Sequence, residues 1–557
     1  MDVGVFFCDC GGTLKERLRI KELAEFAHAI EGVEGVQVHT RLCGKAGRER
    51  IAAGIREMGV DRVVVVGCSP DILEETIRVA LEAEGLNPYL WAVANVREQC
   101  AWVHEDADRA TKKAKGVIAA AVARVKLLEA IARREVAVTP RVLVIGGGLA
   151  GLETSRVLGD LGCAVTLVER EERLGGQLRK IPYLYEDLNP EDLVRGLVDR
   201  ATECASVTVR TSTEVAKVEG QIGHFRVSLS NGNGVQTMDF GAIVAATGTE
   251  AISPVGEYEL PPDRFTTLLA LQKMIRSPEK LPKRIALILD MDREDGSVLT
   301  GAALRTAVEI RERSPSEVYL LCRNMRVAGD GLESLYALAR ELGVVVFKME
   351  EQPEIVLGDY TAAFSFKDVL SGIKIQLECD LTAFSERVGP NGNSERLGEL
   401  LGVRLGPEHF LQDDNVWFSP TDSNRKGIFL AGACRGLMDV QRALVDAQAA
   451  AMKAYELLAG GKWEFDADKA EVDPDKCVLC LTCVRSCPMR AIEVDWEREV
   501  AKVMEEACDG CGICAAECPA KAIELRGVTD AQVAAEVRWM GEWKWLNQVK
   551  GVAEHAA

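Results

Sequence analysis

Eight cysteines between Cys477 and Cys518 fall into two copies of one spacing, C-x2-C-x2-C-x3-C-P. The first copy is Cys477, Cys480, Cys483 and Cys487 before Pro488. The second is Cys508, Cys511, Cys514 and Cys518 before Pro519. Three cysteines so spaced wrap the backbone around one iron–sulfur cubane, and the proline-bounded turn carries the fourth to the other cluster. The spacing therefore predicts two [4Fe–4S] clusters, one on Cys477, Cys480, Cys483 and Cys518, the other on Cys508, Cys511, Cys514 and Cys487. Paired C-x2-C runs also hold zinc in a tetrahedron of four thiolates. Zinc does not account for the third cysteine, or for the proline, in both copies.

A second chemical signature lies upstream. The strand-like run Arg141–Ile145 leads into Gly146-Gly147-Gly148-Leu149-Ala150-Gly151, a G-x-G-x-x-G turn followed by helix-forming residues. A further strand, Ala164 to Val168, ends in Glu169 and Arg170. Such glycines permit a tight turn and close approach of a pyrophosphate to a helix N-terminus, while the acid accepts a ribose hydroxyl. Leu174-Gly175-Gly176-Gln177, Ala246-Thr247-Gly248, and Gly432-Ala433 with Asp439 and Val440 follow in the order found in two-dinucleotide flavoproteins. That order favours FAD over NAD. A helix beginning at Val440 would stabilise negative charge on a reduced flavin. Each of these segments alone is also compatible with ordinary strand–turn packing; their order along the chain is what favours the flavin.

Five cysteines lie in the first hundred residues: Cys8, Cys10, Cys43, Cys68 and Cys100. Val3–Phe7, Val36–Leu42, Val63–Gly67 and Tyr89–Ala94 read as strands, each followed by one or two of them. In a parallel sheet the strand C-termini share one edge, where these thiols would converge on a metal site. Buried structural thiols are the alternative reading.

The elements that must position these groups divide the chain as follows. Residues 1–103 read as an α/β module and 104–140 as a helical connector. Residues 141–255 and 406–465 form the two parts of an FAD-binding domain, interrupted at 256–405 by a second nucleotide-type module. Residues 470–526 form the ferredoxin domain, and 527–557 a helical tail holding Trp539, Trp543 and Trp545. In the inserted module the strand Arg284 to Leu289 runs into Asp290-Met291-Asp292-Arg293-Glu294-Asp295-Gly296, with four carboxylates and no glycine fingerprint. Like charge there opposes a pyrophosphate, so the module is expected not to bind NAD(P)H. The 557 residues carry a net charge of −19 with 47% hydrophobic content, which excludes nucleic acid as a partner class. No signal peptide and no membrane-length apolar run is evident, so a cytoplasmic protein is expected. Eighteen cysteines in such a chain suggest metal and redox chemistry rather than disulfides.

Taken together, these residues resemble the HdrA family, the flavin-bearing subunit of heterodisulfide reductase and related complexes. The resemblance rests on Cys8-Asp9-Cys10-Gly11-Gly12, Cys68-Ser69-Pro70, Gly85 to Tyr89, Asn95 to His104, Gly146 to Gly151, Phe429 to Cys434 and the double ferredoxin motif. It implies an α/β architecture with an N-terminal iron–sulfur module, a thioredoxin-reductase-like flavoprotein core and a bacterial-type 2[4Fe–4S] ferredoxin domain. It also implies a further [4Fe–4S] cluster on Cys10, Cys43, Cys68 and Cys100, with Cys8 as the rival ligand. The implied function is an oxidoreductase subunit of an anaerobic complex. It would relay or bifurcate electrons between a two-electron donor, ferredoxin and a higher-potential acceptor such as a disulfide. The cofactors, not acid or base side chains, would carry the catalysis. Implied partners are ferredoxin, an MvhD-like, hydrogenase or formate dehydrogenase module, and HdrB/HdrC-like subunits in a hetero-oligomer. The chain departs from the family pattern at Gln177 to Tyr183 and at Asp290 to Ala302, where cysteines are expected and none occurs. The alternatives are a stand-alone NADPH-dependent flavoprotein, a non-catalytic relay scaffold and a quinone-linked Qmo-like subunit.

Overall fold

The computed structural model describes every residue except 186–187, 233, 257–259, 278–279, 290–295, 359–360 and 543–557. The chain forms two compact units. One is Met1–Glu135 together with Glu464–Ala557, the other Val136–Trp463. No helix among the described residues is long and apolar enough to cross a membrane.

In the first unit, Val33–His39, Val3–Cys8, Arg62–Gly67 and Trp91–Asn95 lie side by side in that order as a parallel sheet. Val3–Cys8 is buried at every position, as a strand covered on both faces must be. The second strand begins three residues earlier than the sequence suggests and stops at His39. Its register pairs Val33 with Val3, and Gly35 admits Met58 where a Cβ would meet the Met58 sulfur at 2.3 Å.

The stretch expected to be a connector is part of this unit. Its helix, Ala107–Lys126, is capped by the Asp106 carboxylate, which accepts from the Asp108 N–H at 2.8 Å. It buries Ala110, Ala114, Val117, Ile118, Ala121 and Val125 in the core beneath the sheet. Against that helix lies the tail helix Asp530–Glu542, held by Arg124–Glu536 at 3.2 Å and by Gln532 Nε2 donating to Leu127 O at 3.0 Å. This helix thus packs on its own unit; Trp543 and Trp545 lie outside the described residues. Two antiparallel strand pairs, Ala470–Val472 with Ile523–Leu525 and Ile492–Asp495 with Val500–Val503, frame the eight-cysteine segment.

The second unit repeats one plan, a parallel sheet followed by three antiparallel strands. Its first parallel sheet runs Ile428–Leu430, Ala242–Ala245, Arg141–Ile145, Ala164–Val168, Val207–Arg210, with the hairpin Asp413–Asn415/Ser419–Ser423 at the Ile428 edge. The inserted module orders Phe265–Thr267, Leu381–Phe384, Arg284–Ile288, Glu317–Cys322 and Val345–Lys348 in parallel. Its two connections, Thr249–Ile252 and Arg387–Pro390, pair antiparallel. The insertion therefore ends near residue 386 rather than 405. The helix Ser394–Leu401 belongs to the first domain, where Leu397 and Leu401 pack with Phe225, Val227 and Leu229. The expected carboxylates Asp290 to Asp295 lie outside the described residues.

Buried Arg425 fastens that helix to the antiparallel strands. Its Nη1 donates to Leu401 O at 2.9 Å and its Nη2 to Gly220 O at 2.5 Å, with the guanidinium 5.6 Å from the Phe225 ring centre. Arg425→Met strands one buried and one half-buried carbonyl and is expected to destabilise the unit by about 2–3 kcal/mol. The measurement is the urea midpoint of this unit's unfolding; a midpoint equal to that of the native chain would show that the carbonyls find other donors.

Candidate functional site

Three of the motif-bearing segments leave neighbouring parallel strands at the same edge. Arg141–Ile145 is flanked by Ala242–Ala245, which is flanked by Ile428–Leu430. Their carboxyl ends bring Gly146, Ala246 to Gly248 and Gly432 together, where open α/β sheets bind ligands. Gly146 adopts φ +111°, and a Cβ there would lie 2.4 Å from Ala246 O. Gly151 sits so close beneath it that a side chain would meet Gly146 O at 1.8 Å. Above Gly148, which caps the helix Leu149–Asp160, the space is open except for the Gly176 Cα. The helix amides are thus accessible to an anion.

Glu169 is buried at the end of its strand. Its carboxylate accepts from the Gly147 N–H at 2.6 Å and the Glu171 N–H at 2.8 Å. It therefore braces the turn besides offering its remaining lone pairs to a hydroxyl. The Gly175-Gly176-Gln177 segment folds onto the same turn, with Gly175 N–H donating to Gly147 O at 2.8 Å and Gln177 Nε2 to Thr249 O at 3.0 Å. An open cleft runs past Gly146, Glu169, Arg170 and Thr247. Thr247 Oγ1 is buried there without a hydrogen-bond partner in the protein. Open space above a glycine turn, an acid at its rim and an unpartnered hydroxyl in its wall fit a dinucleotide. Asp439 caps the helix Val440–Ala459 by accepting from the Arg442 N–H at 2.7 Å. Gly432 and Ala433 form the turn just before it. The cleft wall also contains Thr213, Asn391, Asn393, Arg396 and Leu397, which the sequence reading missed. The only signal was the turn-rich Gly389-Pro390-Asn391-Gly392-Asn393 run on the far side of the insertion.

In the other unit, Cys477, Cys480, Cys483 and Cys518 line a single cavity. Cys487, Cys508, Cys511 and Cys514 form the complementary group. Burial, reinforced by the charges of Cys508, Cys487 and Cys511, pushes the Cys514 thiol up to about 11. Burial likewise raises Cys487, with Cys508 and Cys511 adding to it. The fourth cysteine of each copy thus sits with the first three of the other. Leu479 and Leu481 adopt φ +50° and +63°, and the equivalent Gly510 and Gly512 adopt +67° and +79°. Backbone N–H groups reach the sulfurs: Ala491 to Cys487 and Ala522 to Cys518, both 3.3 Å, and Gly510 to Cys508, 3.4 Å. Sulfurs that accept backbone amides in this way suit thiolate ligands of an iron–sulfur centre.

At the N-terminal sheet edge, Cys8 and Cys10 bring their sulfurs within 3.9 Å, and Cys68 lies close to Cys10 as well. Interaction with Cys10 lowers Cys8 to about 6 and Cys68 to about 7, while Cys10 itself is raised by Cys68 and Cys8. Cys10 stands at φ +50° in a turn stapled by Asp9, which accepts from the Gly12 N–H at 2.9 Å and pairs with Lys15 at 2.6 Å. Cys100 is buried, and burial raises it to about 11. Cys43 is exposed beyond the end of its strand. The structure therefore gathers Cys8, Cys10 and Cys68, and Cys10 packs against the core cluster that contains Cys100.

Residues 104–256 match the pyridine nucleotide-disulphide oxidoreductase family, and residues 469–519 the 4Fe-4S dicluster domain. An A-type iron–sulfur subunit of CoB–CoM heterodisulfide reductase from Methanopyrus kandleri is 30% identical over 597 residues, covering 88% of this chain and 91% of the relative. Its counterpart from Methanocaldococcus jannaschii is 29% identical, covering 88% and 90%. The A-type component of the H(2):CoB-CoM heterodisulfide,ferredoxin reductase of Methanothermobacter thermautotrophicus is 26% identical, again covering 88% and 90%. With a cleft for a dinucleotide, a duplicated ferredoxin segment and a likeness spread over 88% of its length, the chain belongs to the HdrA family of heterodisulfide reductase flavin and iron–sulfur oxidoreductases.

Proposed function

We propose that this chain is the FAD and iron–sulfur electron-transfer subunit of an anaerobic complex, relaying or bifurcating electrons between a two-electron donor, ferredoxin and a higher-potential acceptor such as a disulfide. The observation that carries this reading is one chain holding both a dinucleotide cleft and the cross-paired cysteine groups of a two-cluster ferredoxin. FAD supplies the step between two-electron and one-electron chemistry that none of the twenty side chains provides. The protein's part is binding and tuning. Gly146, Gly148, Leu149, Ala150 and Gly151 seat the pyrophosphate at the helix N-terminus, with Glu169 and Arg170 at the ribose end. Gly175, Gly176, Gln177 and Ala246 to Gly248 would flank the cofactor along its length, and Gly432, Ala433, Asp439 and Val440 would meet its flavin end. Cys477, Cys480, Cys483 and Cys518 hold one cluster; Cys508, Cys511, Cys514 and Cys487 hold the other. Amide donors to Cys487, Cys508 and Cys518 would raise their potentials relative to bare thiolate ligation.

For the N-terminal module, a third [4Fe–4S] cluster on Cys10, Cys43, Cys68 and Cys100 is part of this reading, with Cys8 as rival ligand. The proximity of Cys8, Cys10 and Cys68 supports a metal site there and favours including Cys8. Relatives named for ferredoxin and for hydrogen support ferredoxin and a hydrogenase-type module as partners; HdrB/HdrC-like subunits, an MvhD-like or formate dehydrogenase module and a cytoplasmic place complete the reading. The inserted module follows its Arg284–Ile288 strand without a glycine fingerprint, so electrons are expected to reach the flavin through the clusters and not from NADPH.

Three outcomes test this. Gly148→Leu fills the open space above the nucleotide turn and is expected to cut bound FAD at least tenfold while iron stays constant, read as released-flavin fluorescence against total iron. Unchanged flavin would place the pyrophosphate elsewhere. Cys518→Ser is expected to remove about four irons and one of two interacting electron paramagnetic resonance signals. Loss of both signals, or of neither, would refute the cross-paired ligand sets. Anaerobic stopped-flow mixing with NADPH is expected to leave the flavin oxidised; rapid bleaching would instead establish the NADPH-dependent alternative.

A further inference from the structure

A buried cluster of charge lies beside the flavin cleft and is used by nothing above. Arg435 ends the short turn Gly432–Arg435 and is clamped between two carboxylates. Its Nη1 lies 2.8 Å from both oxygens of Asp413, on the hairpin strand Asp413–Asn415, and its Nη2 pairs with Asp446 in the helix Val440–Ala459. The side chains of Arg435, Asp413 and Asp446 are only 8%, 9% and 14% exposed. The other oxygen of Asp446 accepts the Gly432 N–H at 2.5 Å. Gly432 in turn stands at φ +67° against the nucleotide turn, where a Cβ would meet that of Ala150 at 2.5 Å. One guanidinium thus ties a strand, a turn and a helix together at the point where the turn touches the residues that seat the pyrophosphate.

We propose that the Asp413–Arg435–Asp446 clamp is a positioning device for FAD: it fixes the Gly432–Arg435 turn against the nucleotide loop and leaves one uncompensated buried negative charge beside the cofactor. This rests on the FAD site proposed above.

Two consequences follow from the geometry and charge count. Without Arg435 the turn keeps the Asp446 bond to Gly432 and the Cys434 bonds to Leu411 and Ala245, but two buried carboxylates are left facing each other without their shared cation, which pushes the strand and helix that carry them apart. With Arg435 in place, two carboxylates against one guanidinium leave one formal negative charge in a low-dielectric wall. Burial raises both Asp413 and Asp446 against the opposing pull of Arg435, so the desolvation is not fully offset. Of the other charges near the clamp, Arg442 earlier in the helix is exposed and screened, while half-buried Asp422, 3.9 Å from Lys453, adds negative charge on the Asp413 side. A buried negative charge opposes electron uptake by the flavin and holds its potential low.

The test uses the full-length holoprotein purified anaerobically, with FAD as the probe. Arg435→Gln is expected to weaken FAD binding at least tenfold, and Arg435→Lys, which keeps the charge, to recover most of that loss. Asp413→Asn keeps the shape but cancels the excess charge. It is expected to retain FAD and to favour the reduced over the oxidised cofactor at least tenfold, a rise of about 30 mV for the two-electron couple, with the cluster potentials unchanged. A purely structural clamp would weaken FAD in Asp413→Asn without moving its potential. Native FAD affinity in Arg435→Gln, or a native flavin potential in Asp413→Asn, would overturn the proposal. Should Arg435→Gln not fold, Arg435→Lys and Asp413→Asn decide it alone. A native chain that takes up no FAD would refute the cofactor assignment itself, and this inference with it.

Discussion

A parallel strand delivers its chain to one edge of a sheet and nowhere else, and nearly every reactive group outside the ferredoxin segment depends on that direction. In the second unit, Gly146, Ala246 and Gly432 lie far apart in sequence, with a whole module between the last two. They meet because Arg141–Ile145, Ala242–Ala245 and Ile428–Leu430 run side by side in the same sense. In the first unit the same rule brings Cys8, Cys10 and Cys68 together from the ends of adjacent strands. Were any of these strands reversed, its turn would open at the opposite edge and the site would lose a wall. The three antiparallel strands Thr213–Gln221, His224–Asn231 and Gly234–Phe240 can stand beside this edge because they contribute wall residues such as Thr213, not backbone ends.

The ferredoxin segment solves its geometry differently, by bending the chain within a few residues. Each copy needs two left-handed residues between its first and third cysteines. The second copy supplies Gly510 and Gly512, while the first imposes the same backbone on Leu479 and Leu481. A non-glycine residue at positive φ is costly, of the order of 1 kcal/mol each, and is sustained only where something else fixes the loop. The third left-handed position, Arg490 in one copy and Lys521 in the other, repeats after each Cys-Pro turn. The duplication is therefore one of backbone conformation as well as of cysteine spacing, whichever residue type stands at the left-handed positions.

What was legible in the sequence was local. Cysteine spacing, the glycine turn and the acid after Val168 are each set by neighbours a few residues away, and periodicity marked their flanking strands. What escaped was set by distant partners. Asn391, Arg396 and Leu397 wall the cleft only because Arg387–Pro390 pairs with Thr249–Ile252 and returns the chain to the first domain. The helix Ala107–Lys126 looked like a connector because its apolar stripe gives no hint of which core will take it. Arg435 gave no signal either, since a guanidinium in a strand–helix turn is usually solvated; only the convergence of Asp413 and Asp446 from two other elements makes it a buried clamp. Cys8 was visible, but its membership of the N-terminal group depends on a 3.9 Å approach that spacing cannot encode.

The composition of the ferredoxin core shows how far cofactor and fold are one problem. The buried side chains between Ala470 and Ile523 are largely Ala470, Ala491, Ala501, Ala507 and Ala522, with Ile492, Met504 and Ile523, and the rest are cysteines: Cys483, Cys508, Cys514 and Cys518. Alanines bury little area, and a segment of this length rarely sustains itself on so small a core. The iron and sulfide of two cubanes would occupy the centre that larger side chains fill elsewhere, so their binding energy becomes folding energy. The same logic explains the small residues. A leucine at Ala491 or Ala522 would fill the space next to Cys487 or Cys518, whose sulfurs accept the N–H groups of those two alanines. Core size has been given up where ligand geometry requires the room, and the metal returns the stability.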